Sequence, residues 1–166
     1  LIKTTIIPYA GCNIEVPELL ALNDYWPYGL PLEDWPTFCG AGEGIGDRII
    51  PDTICGVRVA CCCFEHDISW CIADGSFVDF MKSNLRLYCN LRAIVLPRIP
   101  YWQKLAAEAK CFFYFAAVCT VGHKIFKKQF STTKQYLDPF DNPGVKEKLH
   151  RLAMATLNYP TQDYAN

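Results

Sequence analysis

Ala60-Cys61-Cys62-Cys63-Phe64-Glu65-His66-Asp67-Ile68-Ser69-Trp70-Cys71-Ile72-Ala73 is the stretch on which the reading of this chain turns. It lies in a segment, Val57 to Ala73, that can be helical, and Asp74-Gly75 stops it. On a helix, Cys62, His66 and Trp70 fall at successive fourth positions on one stripe, and Cys63, Asp67 and Cys71 fall on the adjacent stripe. A histidine and a carboxylate then project side by side from one rigid turn. That pairing suits an acid–base imidazole next to a metal ligand.

Upstream, Gly40-Ala41-Gly42-Glu43-Gly44-Ile45-Gly46 is too rich in glycine for helix or strand and reads as a loop whose backbone approaches something closely. It is not a dinucleotide fingerprint, because Asp47-Arg48-Ile49-Ile50-Pro51 does not open a helix. Tyr9 to Thr37 carries Pro17, Pro27, Pro31 and Pro36 and reads as an irregular arm with one short helix near Glu18–Asn23. Downstream, Phe77, Phe80, Met81, Leu85, Tyr88, Leu91 and Val95 recur at helical spacing, which predicts a helix from Phe77 to Ile94 with Ser76 as its N-cap. Pro97 and Pro100 end it, and a third helix runs from Tyr101 to about Phe126. Leu149 to Leu157 is a weaker fourth. Strand signals are poor.

The chain has 166 residues, which suits one domain with a usable core, and residues 1–166 read as a single unit. Apolar content is 51%, charged content 20% and net charge −1, a balance that predicts neither disorder nor a nucleic-acid partner. The ten cysteines are even in number and irregularly spaced, which favours a disulfide framework in an oxidising compartment. Leu1 to Ile7 lacks the features of a signal peptide, so an exported chain is expected in its mature form. Leu105 to Val121 is the most apolar stretch. Its uncharged part, Cys111 to Gly122, has the length of a buried core helix, and no transmembrane segment is expected.

Cys39 stands at the head of the glycine loop. If it bonds Cys63, the loop is pinned one helical turn before Asp67, and the carbonyls of Phe38, Gly40 and Gly42 can converge on the Asp67 carboxylate. Backbone carbonyls with one carboxylate make a hard-oxygen site that suits Ca²⁺. Together, Phe38-Cys39-Gly40-x-Gly42 and Cys62-Cys63-x-x-His66-Asp67 resemble the secreted phospholipase A2 family, with a layout nearest its group XII and plant branches. The resemblance covers about residues 38–119. It leaves the arm 1–37 and the extension 127–166 unassigned.

The resemblance implies a mainly α, disulfide-stapled fold. Two antiparallel helices would carry the active site, beside a calcium-binding loop and additional helices. It implies calcium-dependent hydrolysis of the sn-2 ester of phosphoglycerides at a membrane or micelle surface, by a secreted or otherwise extracytoplasmic protein. His66 is then the general base, Gly40 lends an oxyanion donor, and Phe38, Gly40, Gly42 and Asp67 hold Ca²⁺. A Cys39–Cys63 bridge and a bond from Cys62 to Cys89 or Cys119 follow from the same resemblance. Three departures qualify it. Ser69 stands where the family has a cysteine, and Trp70 where it has a tyrosine. The residue that orients the histidine is Ser83, Asn84 or the more distant Asp79, in place of the usual aspartate. Asn84 can accept from the imidazole N–H but stabilises an imidazolium less than a carboxylate does.

The plainer readings set the competition. Cys62, Cys63 and His66 have the atoms for zinc, but adjacent cysteines point apart on a helix and no second ligand pair follows. Trp26, Tyr28, Trp35, Tyr101 and Trp102 form either a membrane-interface rim or ordinary core and surface aromatics. Cys111 to Val118 is either core or the wall of an acyl pocket. Lys124, Lys127, Lys128 and Lys134 read as a solvated helix end. The alternative function is a non-catalytic protein of the same fold that binds lipid or a receptor, favoured by Trp70 and the missing aspartate. A disulfide-rich extracellular module without calcium is a third.

Overall fold

The computed structural model describes residues 1–22, 25–36, 38–39, 50–124, 126 and 141–157. The chain is mainly helical. In order come strands β1 (Thr4–Tyr9) and β2 (Cys12–Pro17), helix α1 (Glu18–Leu22), strands β3 (Thr53–Ile54) and β4 (Val57–Arg58), and helices α2 (Ala60–Ile72), α3 (Phe77–Val95), α4 (Lys104–Thr120) and α5 (Pro143–Leu157).

The N-terminal arm is not irregular. β1 and β2 pair antiparallel with Tyr9 opposite Cys12. The intervening Ala10 and Gly11 have φ of 49° and 71°, the two-residue turn whose twist matches that of its strands. Pro8 inside β1 disguises the hairpin in the sequence, because proline argues against a strand. Ile7, Tyr9, Ile14 and Val16 face inward and join the main core. A second small hairpin, β3–β4, turns at Cys55 and Gly56, which both have positive φ. It takes Val57 and Arg58 out of the expected helix, so α2 begins only at Ala60.

The Ser76 side chain accepts a hydrogen bond from the Asp79 N–H at 3.1 Å and caps α3 as the sequence predicts. After α3, two 3-10 turns, Leu96–Arg98 and Tyr101–Gln103, lead into α4. α5 starts earlier than expected, because Asn142 caps it: its side-chain oxygen accepts from the Gly144 N–H at 2.9 Å, with Pro143 at the first helical position.

An aromatic chain holds the arm to α2. Tyr9 meets Trp26 at 5.4 Å between ring centroids, Trp26 meets Trp35 at 5.3 Å, and Trp35 meets Phe64 at 5.5 Å. Trp26 and Trp35 are therefore core residues, not a membrane rim, whereas Tyr28, Tyr101 and Trp102 are exposed. Burying each large ring contributes about 2–3 kcal/mol of transfer free energy. α4 divides the same way: Cys111 and Tyr114 are buried, while Phe112 and Phe113 look outward. Among the described residues no helix is long and apolar enough to cross a membrane.

Candidate functional site

His66 projects from the middle of α2 and is buried, with 4% of its surface exposed. Its Nε2 lies 2.9 Å from the Asn84 Oδ1 on α3. The same Oδ1 accepts from the Trp70 indole N–H at 3.2 Å, and the Asn84 amide N–H₂ points to the Cys119 sulfur at 3.5 Å. An indole N–H can only donate, so the atom facing it must be the amide oxygen. That fixes the imidazole as well. Nε2 carries the proton and donates to Asn84, and the lone pair is left on Nδ1. Nδ1 in turn sits 3.8 Å from the Asp67 Oδ1.

Of the three residues that the sequence offers as partners for His66, Asn84 is the one that meets it. The Ser83 hydroxyl donates to the carbonyl of Asp79 at 2.8 Å within its own helix. The Asp79 carboxylate accepts from the Asp74 N–H at 3.1 Å and the Ile2 N–H at 3.3 Å. Trp70, a departure on the sequence reading, makes a second orienting contact with Asn84. Its ring lies tilted against the imidazole, 4.4 Å between centroids, and packs on Phe80 and Phe126. A Cβ on Gly122 would come within 2.4 Å of that indole, so only glycine fits there.

A buried polar network braces the adjacent stripe of α2 against α3. The fully buried Glu65 receives the Arg86 Nε–H at 2.6 Å and the Ser69 hydroxyl at 2.8 Å. The Arg86 Nη2 reaches the Ser69 Oγ at 2.7 Å. Burial pushes the Glu65 carboxyl up from its ordinary value, and Arg86 works against that push. Asn90 joins α3 to β2 by donating to the Glu15 carbonyl at 2.7 Å and accepting from its N–H at 2.9 Å. Ser69 thus has a polar role that no motif in the sequence announces.

Cys39 and Cys63 form a disulfide with Cα atoms 5.1 Å apart. The Asp52 carboxylate braces the same segment by accepting from the N–H groups of Phe38 at 3.3 Å and Cys39 at 3.0 Å. The expected bond from Cys62 to Cys89 or Cys119 is not formed. Cys62 is buried with its sulfur 4.0 Å from that of Cys61, and Cys89 is exposed. Contact with Cys61 and burial raise the Cys62 thiol well above its ordinary range, which sets it against a thiolate role beside His66.

No protein-family model, curated protein or solved structure matches this chain.

Asp67 meets a group that the sequence reading did not bring to it. The Lys148 Nζ on α5 lies 2.5 Å from the Asp67 Oδ2. Burial pulls the Asp67 carboxyl upward, but the Lys148 ammonium outweighs it and holds the group below its ordinary value. The Asp67 Oδ2 is thus taken by a cation of the chain itself. Of the other expected ligands, Phe38 is buried at the disulfide, and Gly40 and Gly42 lie outside the described residues. Among the described residues no cluster of three or more His, Cys, Asp or Glu side chains forms a metal site. The signal for α5 was present in Asn142-Pro143, a cap followed by an N1 proline, and in the stripe Val145, Leu149, Leu152.

Proposed function

We propose that the chain is a secreted-type phospholipase A2-like esterase in which His66 is the general base. The observation that carries the reading is the Trp70–Asn84–His66 chain of hydrogen bonds, which leaves the lone pair on Nδ1 beside Asp67. On this reading the two helices around the site are the family's antiparallel pair. Their contacts run in reverse sequence order, Trp70 with Phe80 and Glu65 with Arg86.

His66 Nδ1 takes a proton from the water that attacks the sn-2 ester carbonyl, and returns it to the departing glycerol oxygen. Nε2–H stays on the Asn84 oxygen throughout and keeps the ring in place. Asp67, with the carbonyls of Phe38, Gly40 and Gly42, would hold calcium. When bound, calcium would supply positive charge to the ester carbonyl oxygen. The exposed Tyr101, Trp102 and Leu105, with Lys104 beside them, give the chain an amphipathic surface suited to a phospholipid interface.

The test is fatty-acid release from mixed phospholipid vesicles with calcium, with chelator, and with His66→Gln. Calcium-dependent release that His66→Gln abolishes is expected. Its absence in the wild type would sink the enzyme reading. One observation favours the non-catalytic alternative, in which the fold binds lipid or a receptor: Lys148 sits on the carboxylate that calcium would use. Vesicle binding without any ester hydrolysis is the result that alternative expects.

A further inference from the structure

We infer that Cys119 is a positioning residue for His66, because its sulfur is the acceptor that keeps the Asn84 amide on the imidazole. The inference deepens the reading of His66 as a base, which it rests on. Asn84 is fully buried. Its oxygen accepts from the His66 Nε2–H at 2.9 Å and from the Trp70 indole at 3.2 Å. Its N–H₂ needs an acceptor too, and among the described residues it meets one, the Cys119 sulfur at 3.5 Å. Two matched stripes bring that sulfur into place. Asn84, Tyr88 and Arg92 share one stripe of α3, and Glu108, Phe115 and Cys119 share one of α4. Their contacts run in reverse order. Glu108 accepts from the Arg92 Nε–H at 2.9 Å and from the Tyr88 hydroxyl at 2.5 Å. Phe115 lies 5.8 Å from the Tyr88 ring, and Cys119 reaches Asn84.

The amide is thus clamped at both ends. Turned over, its N–H₂ would stand against the indole N–H, donor against donor, so Trp70 decides which end faces the imidazole. The sulfur serves the other end. Burial holds the Cys119 thiol above its ordinary range, so it is neutral and keeps lone pairs for the amide. Without that acceptor a fully buried N–H₂ is left unpaired, which is costly. Cys119 is only partly buried, so the amide regains a partner by turning toward that side, and in turning it leaves His66. The imidazole then has nothing to hold its proton on Nε2. The proton can pass to Nδ1, where the Asp67 Oδ1 stands 3.8 Å away. A histidine protonated on Nδ1 has no lone pair there to take a proton. Cys119 therefore acts on the base from α4, through Asn84, without touching the imidazole.

NMR of the ¹⁵N-labelled histidine rings in the whole chain tests this at about pH 8, where ordinary imidazoles are neutral. Wild type, Cys119→Ser and Cys119→Val are compared, each checked for folding by circular dichroism, and His66→Gln assigns the His66 signals. Wild type is expected to show the Nε2–H form. Cys119→Ser, whose hydroxyl still accepts, should stay close to it. Cys119→Val is expected to raise the share of the Nδ1–H form about tenfold. An unchanged share in Cys119→Val would overturn the inference, and so would an equal rise in Cys119→Ser, which would mark a packing role alone. A wild type already in the Nδ1–H form would overturn the inference and the base reading together. The spectra need no turnover, so a lack of ester hydrolysis leaves this test intact. A second measurement uses wild type alone, in case Cys119→Val does not fold. At least one Asn84 side-chain N–H is expected to exchange with solvent more slowly, by about tenfold, than those of the exposed Asn13. Equal exchange at the two residues would overturn the inference.

Discussion

Asn84 is a neutral residue in a position that chemistry would fill with a charge. Its oxygen accepts from both the imidazole and the indole, so it fixes the tautomer, but it offers a forming imidazolium only a dipole. Asn84→Asp keeps both acceptor contacts and adds the missing charge. On the esterase reading, kcat is expected to rise about tenfold with KM little changed, as measured by steady-state release from vesicles. An unchanged kcat would mean that proton transfer at His66 does not limit the rate. Asn84 was one of three residues open from the sequence. The choice depended on which side chains the turn at Asp74–Ser76 consumed, and Asp79 is used there.

At the scale of elements, α2 and α3 are held together by one buried ion pair within a hydrogen-bonded network. Arg86 is 5% exposed and Glu65 is fully buried. Arg86→Met would leave the Glu65 carboxyl with Ser69 and Asn90 only. The expected loss is about 3–5 kcal/mol of unfolding free energy in urea titration, and Glu65→Leu in the same chain should recover most of it. The pH dependence follows. The folded carboxyl is raised above its ordinary value of 4.5, so between 4.5 and the folded value the native state binds a proton that the unfolded chain has released. Stability from this group is present below that window and declines as the pH climbs through it. Arg86→Met should carry the decline to higher pH, because Arg86 holds the folded value down. The helices themselves were legible, because Ser76 and the apolar repeat from Phe77 mark α3 plainly. The two hairpins were not. Each depends on a two-residue left-handed turn, and the strands beside those turns are short or broken by proline.

For the whole molecule, the Cys39–Cys63 bond closes a separation of 24 residues. Replacing both cysteines by serine is expected to cost about 3 kcal/mol, read as a lower thermal midpoint against wild type. If the midpoint does not fall, then the aromatic chain through Trp26, Trp35 and Phe64 with the Asp52 brace already holds the segment. Both terminal regions, unassigned from the sequence, contribute to the same core through Ile14 and Val16 at one end and Val145 and Leu152 at the other.

The sequence by itself determined that the segments around His66 and after Ser76 are helical, the Ser76 cap and the side-by-side projection of His66 and Asp67. Each follows from spacing or capping within its own helix. Only the tertiary structure decided what each of those side chains meets. Asn84 reaches His66 because α3 lies against α2, Trp70 locks that amide because Gly122 leaves room for the indole, and Lys148 reaches Asp67 because α5 docks across the end of α2. The physical reason is distance along the chain. Local periodicity fixes which face a residue takes, but a contact spanning 81 positions depends on how whole elements pack, and no pattern within a single element encodes it.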